Sequence, residues 1–437
     1  MFYDAVEGIS RDSLAALQTE RLRRSVATCL ASPFYGKRLR ALGLGPENFN
    51  SPDDVRKLPF TVKDDLRAGY PDGFLCQPRD AFIRLHVSSG TTGAPTAVYY
   101  TANDVDSWSH LVARCMHAVG LRRGDVFQNM SGYGLFTGGL GIHYGAERLG
   151  CLTVPAGAGN SKRQLKLLRD FGVDGVHIIP SYALHFGHFL QQEGIEPGDL
   201  KWRFALIGAE PHTERARRRI EELLGLKAFN SYGLTEMNGP GVAFECAAQA
   251  GMHVWEDAYI AEIVDPVSGE ALPDGEVGEL VMTTLCRDGM PLLRYRTRDL
   301  TRFIPGECAC GRTHRRLDRI TGRTDDMIII KGCNVFPMQI EQALMAMPEV
   351  APNYLIELYQ ENDMDQIRVK VEIQDEVFAA DDRTRAALHK RLVARLRDEI
   401  LVTPAVELVR RGSIPPAEGK AVRVDDRRVH EDCRSGA

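Results

Sequence analysis

The chain has 437 residues, 54 Lys+Arg against 59 Asp+Glu, and a formal charge of −5. That length exceeds what one typical core fills and predicts two or three domains, while 44% apolar and 26% charged residues are ordinary for a globular protein. The mixed, slightly acidic balance argues against a nucleic-acid binder, and no run approaches about 18 apolar residues, so no membrane span is expected. Phe2-Tyr3-Asp4-Ala5-Val6-Glu7 is too polar for a signal peptide, and ten scattered cysteines form no dense framework; a cytoplasmic, reducing compartment is the expectation.

Residues 11–30 read as an amphipathic helix, with Leu14, Leu17, Leu22 and Val26 near helical spacing and Arg21, Arg23 and Arg24 on a solvated face. The apolar run 81–87 reads as a strand, and Tyr99-Tyr100-Thr101 as its hairpin partner. From 81 to 233, strands at 153–155, 175–180 and 204–208 alternate with helices at 164–171 and 214–224. This predicts an α/β domain with a largely parallel sheet. The stretch 258–303 is strand-rich, with turns at Asp265-Pro266 and Pro273-Asp274-Gly275, and fits an antiparallel subdomain of about 240–322. A strand at 327–330, a helix at 338–347, a strand at 367–373 and an amphipathic helix at 383–400 form a compact α+β end. The expected fold class is therefore α/β: a large N-terminal domain with mixed sheets, residues 1–323, and a small α+β C-terminal domain, residues 324–437.

Between the first two strands lies Ser88-Ser89-Gly90-Thr91-Thr92-Gly93, four hydroxyls and two glycines in six residues. Glycine lets backbone approach an anion, and hydroxyls donate to it, so such a loop can wrap a polyphosphate. Alone it is ambiguous with a surface loop, and it lacks the Gly-Lys-Ser/Thr ending of a P-loop. Four motifs follow in order. Ser231-Tyr232-Gly233-Leu234-Thr235-Glu236 sets a hydroxyl beside a carboxylate at a glycine-kinked strand end, a pair suited to a phosphate and its Mg²⁺. Tyr295-Arg296-Thr297-Arg298-Asp299 offers an acceptor for ribose hydroxyls. Next come Gly322-Arg323-Thr324-Asp325-Asp326-Met327 and Lys331-Gly332-Cys333-Asn334-Val335-Phe336-Pro337. The last is Glu418-Gly419-Lys420-Ala421. Tyr133-Gly134-Leu135-Phe136-Thr137-Gly138-Gly139-Leu140-Gly141 holds two aromatics and four glycines, either an aryl pocket opened by glycine or plain packing at a helix start. Cys246 and His253, with Cys308-Ala309-Cys310, offer donors suited to tetrahedral zinc, with His314 competing; buried thiols plus a surface histidine are the alternative.

In their order these motifs resemble the adenylate-forming superfamily, and within it the chain looks like the phenylacetate–coenzyme A ligase family, essentially end to end. The resemblance extends to Leu58-Pro59-Phe60-Thr61-Val62-Lys63-Asp64-Asp65-Leu66 and to His143-Tyr144-Gly145-Ala146-Glu147. It implies an ATP-dependent ligase that turns an aromatic acid into its acyl-coenzyme A through an acyl-adenylate. Ser88, Ser89, Gly90, Thr91, Thr92 and Gly93 would hold the β- and γ-phosphates. Gly208-Ala209-Glu210-Pro211 and Asn230-Ser231-Tyr232-Gly233 would border the adenine. Thr235 would meet the α-phosphate, Glu236 the Mg²⁺, and Asp299 and Arg323 the ribose. Asp325 would be the hinge of a mobile small domain, Lys420 the adenylating lysine, and Lys331-Gly332 would face the thiol tunnel. Tyr133, Phe136 and Gly138 would line the acyl pocket. Cys246, His253, Cys308 and Cys310 would hold a structural zinc, as in some family members.

The chain departs from the family at Cys333, where a small aliphatic residue is usual; a valine-like packing role is expected there. An amine or carrier-protein thiol as acceptor would use the same motifs. A non-catalytic scaffold would have lost Lys420 or Glu236, and a zinc hydrolase would carry His-Glu-x-x-His, which is not found. The expected partners are small molecules, with no nucleic acid and no membrane; a homodimer is compatible with all of this.

Overall fold

A nine-stranded mixed sheet organises the first of two compact units in the computed structural model. That unit comprises Met1–Ile179, Glu196–Ala209 and Gly225–Ile320; the second comprises Pro180–Ile195, Glu210–Leu224 and Thr321–Ala437. The structure describes residues 2–88, 95–135, 137–331, 333–361, 364–415 and 423–428. Ser89, Gly90, Thr91, Thr92, Gly93, Phe136, Gly332 and Lys420 lie outside the described residues, and only the backbone of Ser88 is described.

Across the large sheet the strands run Phe303–Ile304, Arg316–Leu317, Met252–Val254, Gly239–Glu245, Lys227–Leu234, Phe204–Gly208, Gly175–His177, Val126–Asn129 and Leu152–Val154. The last five pair in parallel, as the alternating pattern predicts, and the first four pair antiparallel. The reversal follows from connection length, because a parallel crossover needs about a dozen residues or more. Lys227–Leu234 is instead followed by one 3-10 turn, Thr235–Met237. Asn238 at φ 81° and Gly239 at φ 100° then send the chain straight back. The stretch 240–322 is thus divided. Four of its strands extend the large sheet, while Tyr259–Val264, Gly278–Thr284 and Tyr295–Thr301 pair among themselves.

The hairpin Phe82–Ser88 and Thr96–Thr101 forms as expected. The helix expected at 11–30 runs Arg11–Cys29, capped by Ser10 and burying Leu14, Leu22 and Val26. Arg23 and Arg24 are exposed, as expected, and Arg21 is half-buried; each also reaches a partner. Arg23 donates to the Phe49 carbonyl at 2.6 Å, Arg24 pairs with Asp288 at 2.5 Å, and Arg21 reaches Asp257. The long helix Ala102–Ala118 starts from a capping box between Thr101 and Asp104 and buries Trp108, which stacks on Tyr100.

In the second unit, Val350–Glu361 and Met364–Ile373 form an antiparallel hairpin, flanked in parallel by Val424–Asp426 and Ala405–Arg410. Helices Pro337–Met345 and Asp382–Ile400 close its core; Leu388, Leu392, Leu396 and Ile400 recur every fourth residue and are buried. The strand Val350–Glu361 went unpredicted because Pro352 breaks its pattern, and a register shift between Val350 and Tyr354 absorbs that proline. Cys333 packs partly buried against this core, in the packing role expected of it.

Candidate active site and metal centre

The motif 230–236 sits at the end of strand Lys227–Leu234, where the sheet changes from parallel to antiparallel pairing; ligands of α/β sheets bind beyond the carboxyl ends of strands. The Tyr232 hydroxyl donates to Asp299 Oδ2 at 2.6 Å, with both side chains buried. Two motifs 67 residues apart are joined by that bond. Asp299 lies on the inward face of Tyr295–Thr301, just after Arg298, whose φ of 69° marks an irregularity in the strand. The Ser231 hydroxyl donates to the Ile207 carbonyl at 3.0 Å, and a Cβ at Gly208 would strike Ser231, so glycine is required there. Ala209 follows at φ 68°, a left-handed conformation that costs an alanine about 1–2 kcal/mol. Asn230 N–H donates to Glu245 Oε2 at 2.8 Å.

Thr235 and Glu236 are both buried on the 3-10 turn. The Thr235 hydroxyl lies 3.4 Å from that of Thr137, and its carbonyl accepts from Tyr100. Burial pushes the Tyr100 phenol up, and the nearby Glu236 charge acts the same way while Arg287 opposes it. In the second unit, Glu210 accepts from Ser181 N–H and from the Ser181 hydroxyl, both at 3.0 Å, at the start of helix Pro180–Gln192. Arg323 makes a two-pronged pair with Asp325 at 2.9 and 3.0 Å. Lys331, at φ 51°, tops the hairpin of Ile328–Ile330 and Cys333–Val335, and its Nζ donates to Gln366 at 2.8 Å.

Tyr133 is half-exposed, its phenol oxygen accepting from Asn129 at 3.0 Å and lying 3.3 Å from His143 Nδ1. Gly138 is buried in the first turn of helix Thr137–Leu149. Gly134 faces open space, whereas Gly139, Gly141 and Gly145 do not open any. A Cβ at Gly139 would strike the Gly132 carbonyl, one at Gly141 the Trp108 ring, and one at Gly145 Val112. They serve close helix packing, which the sequence could not separate from a pocket.

Cys246, His253, Cys308 and Cys310 bring four donor atoms within 4.8 Å of one another. Cys246 Sγ lies 3.7 Å from Cys308 Sγ, and Cys310 Sγ 3.3 Å from His253 Nε2. Tetrahedral zinc with thiolates at about 2.3 Å sets its sulfurs about 3.8 Å apart, so the donor set fits. His253 Nδ1 lies 2.9 Å from the His314 carbonyl; donating there leaves Nε2 aimed at the sulfurs. His314 is not a competing ligand. Its Nδ1 accepts from Glu256 N–H at 3.0 Å, so Nε2 carries the proton, toward the Val6 carbonyl at 3.1 Å. The hydrogen bond between Cys246 and Cys310 pushes the first thiol up and the second down, with His253 adding to the second.

Residues 53–286 match the AMP-binding enzyme family and residues 332–428 the AMP-binding enzyme C-terminal domain. The chain is 45% identical to the phenylacetate-coenzyme A ligase of Pseudomonas putida, across 98% of this chain and 97% of that protein. The chain belongs to the phenylacetate–coenzyme A ligase family. It is also 44% identical to the Thermus thermophilus phenylacetate-coenzyme A ligase, across 97% and 98% of the two chains. Among solved structures, a 2-hydroxyisobutyryl-CoA ligase in the postadenylation state, in complex with R3-HIB-AMP, superposes with a TM-score of 0.89 at 29% identity, covering 96% of this chain and 91% of that one. This member of the acid–thiol ligases also has polar residues that no motif announced. Asn129 and His177 end neighbouring parallel strands and face each other at 3.3 Å, both buried. Burial lowers His177 to about 4. Neither carried a sequence signal: no strand was predicted at Val126–Asn129, and His177 falls inside the predicted strand 175–180, not at its end.

Proposed function

We propose that this ligase uses ATP to convert an aromatic carboxylic acid, phenylacetate or a related aryl acid, into its acyl-coenzyme A through an acyl-adenylate. Near full-length identity of 45% to the Pseudomonas putida phenylacetate-coenzyme A ligase carries this assignment. A carboxylate oxygen of the acid attacks the α-phosphorus of ATP and pyrophosphate leaves. The thiolate of coenzyme A then attacks the acyl carbon of the mixed anhydride and AMP leaves. Both reactants of the first step are anionic, so the chain must supply positive charge and hydrogen-bond donors around the phosphorus.

Ser88, Ser89, Gly90, Thr91, Thr92 and Gly93 are assigned to the β- and γ-phosphates and Lys420 to the α-phosphate and carboxylate. Glu236 would hold Mg²⁺, which takes few carboxylates and shares phosphate oxygens; when bound it offsets phosphate charge. Thr235 is assigned to the α-phosphate. Asp299, held by Tyr232, is assigned to the ribose with Arg323. Gly208, Ala209, Glu210, Pro211, Asn230, Ser231, Tyr232 and Gly233 are assigned to the adenine. Asp325, paired with Arg323, is assigned the hinge between the large domain and the small domain of residues 324–437, and Lys331 with Gly332 the thiol side. Tyr133, Phe136 and Gly138 are assigned to the acyl pocket. Cys246, His253, Cys308 and Cys310 would hold a structural zinc, four protein ligands leaving no open position. Thiols carried free and the use of ATP and coenzyme A fit the cytoplasm, where we place the enzyme.

A pyrophosphate-release screen over phenylacetate, benzoate, and hydroxy- and aminobenzoates, with coenzyme A present and thioester detected by mass spectrometry, tests this. Release with an aryl acid and the matching thioester is expected. Release without thioester, or thioester from aliphatic acids alone, would overturn it.

A further inference from the structure

The acyl-pocket assignment rests on the loop 130–139, and one buried side chain ties that loop together. Asn129 ends strand Val126–Asn129 and is fully buried. Both of its amide hydrogens are used: Nδ2 donates to the Tyr133 phenol oxygen at 3.0 Å and to the Gly139 carbonyl at 2.8 Å. Its Oδ1 accepts from Ser131 N–H at 3.2 Å, from the Ser131 hydroxyl at 2.7 Å and from His177 Nδ1 at 3.3 Å. Its own carbonyl accepts from Gly157 N–H at 3.1 Å. Only a primary amide offers two donors and an acceptor in this geometry.

The pattern continues beyond Tyr133. His143 Nε2 lies 3.0 Å from Glu147 Oε1; donating there makes Nδ1 an acceptor. The Tyr133 phenol, already accepting from Asn129, then sends its hydrogen to His143 Nδ1 at 3.3 Å. Its hydrogen and one lone pair are both engaged within the chain, so the group left for a ligand is the ring.

We propose that Asn129 is the positioning residue of the acyl pocket: it holds Tyr133 so that the ring, not the hydroxyl, meets the aryl acid. This rests on the assignment of Tyr133 to that pocket. A carboxylate at position 129 keeps the size of the amide but loses both donors and faces the Gly139 carbonyl.

ATP–pyrophosphate exchange with phenylacetate, varying acid and ATP separately, tests the proposal. Asn129→Asp should raise the KM for the acid ~10-fold or more, because the bond to Gly139 is lost and the Tyr133 phenol turns its hydrogen from His143 to the new carboxylate, with the KM for ATP and the saturated rate within ~2-fold. An unchanged KM for the acid, or an equal rise in both KM values, overturns it. Tyr133→Phe keeps the ring and deletes the bond from Asn129. It should raise the KM for the acid ~5-fold, by the same factor for phenylacetate and 4-hydroxyphenylacetate. A loss confined to the hydroxylated acid would mean that the phenol serves the ligand, against the proposal. If Asn129→Asp does not fold, Tyr133→Phe decides alone; if both fold, the double variant should be less than additive, because the two share one bond. Tyr133→Ala separates the two levels. No effect on the KM for the acid places the acyl pocket elsewhere. A rise with Asn129→Asp silent refutes the positioning role only.

Discussion

Tyr232→Phe is the sharpest perturbation of the nucleotide motifs, because it removes one atom and leaves the ring. The deleted hydroxyl donates to Asp299 at 2.6 Å, between side chains 8% and 7% exposed. A hydrogen bond to a charged acceptor contributes about 1.5–3 kcal/mol, and short O–H···O⁻ contacts belong to that stronger class. Water can replace part of the bond when the site is empty, but less if Asp299 holds the ribose as proposed. A loss near the low end, about 1.4 kcal/mol, should therefore appear in nucleotide binding, a ~10-fold rise in the KM for ATP. Thermal stability should fall by only a few degrees. ATP–pyrophosphate exchange with ATP varied at saturating acid reads the first, and a melting curve the second. A KM for ATP that stays put while stability drops would make Tyr232 a packing residue, and an equal rise in the KM for the acid would likewise refute its nucleotide role.

Three further outcomes are expected. Burial holds His177 at about 4, below the ordinary 6.5, so the unfolded chain binds the extra proton first. Its share of stability is full above about pH 6.5 and is lost as pH falls toward 4, about 3 kcal/mol at most. His177→Gln should flatten urea midpoints measured over that window relative to the parent; His188, lowered in the same way, titrates in both proteins. An unchanged slope would refute the buried, neutral state. Cys308→Ser should lower zinc content from about one per chain. Thr313 and His314 also bond the Glu7 and Val6 carbonyls, so amide exchange at residues 4–11 should speed up with it; a metal assay unchanged from the parent would sink the zinc assignment. Lys420→Ala should depress adenylate formation strongly, with thiolysis of supplied acyl-adenylate much less affected, and equal loss of both half-reactions would count against its assigned role.

The parallel strands at 152–154, 175–177 and 204–208, the terminal helix Asp382–Ile400 and the ordered motifs were legible in the sequence because each rests on local periodicity or on adjacent residues, whereas the four-residue strand Val126–Asn129 was too short to stand out. Thr235 and Glu236 needed only a strand ending in a tight turn, and Arg323 with Asp325 only two residues of separation. The four donors of the proposed zinc site could be nominated from residue type. What excluded His314 was the backbone around its two nitrogens, which no spacing records. Tertiary structure alone decided that Tyr232 meets Asp299 and which partners the exposed Arg23 and Arg24 reach. The same holds for glycines 139, 141 and 145, which close a helix contact instead of opening a pocket, and for Asn129, which bonds Tyr133, Ser131 and Gly139 at once. The physical reason is common to these cases. Sequence periodicity reports which face of an element is apolar, whereas a hydrogen bond or a missing Cβ acquires its meaning from an atom brought near from elsewhere in the chain.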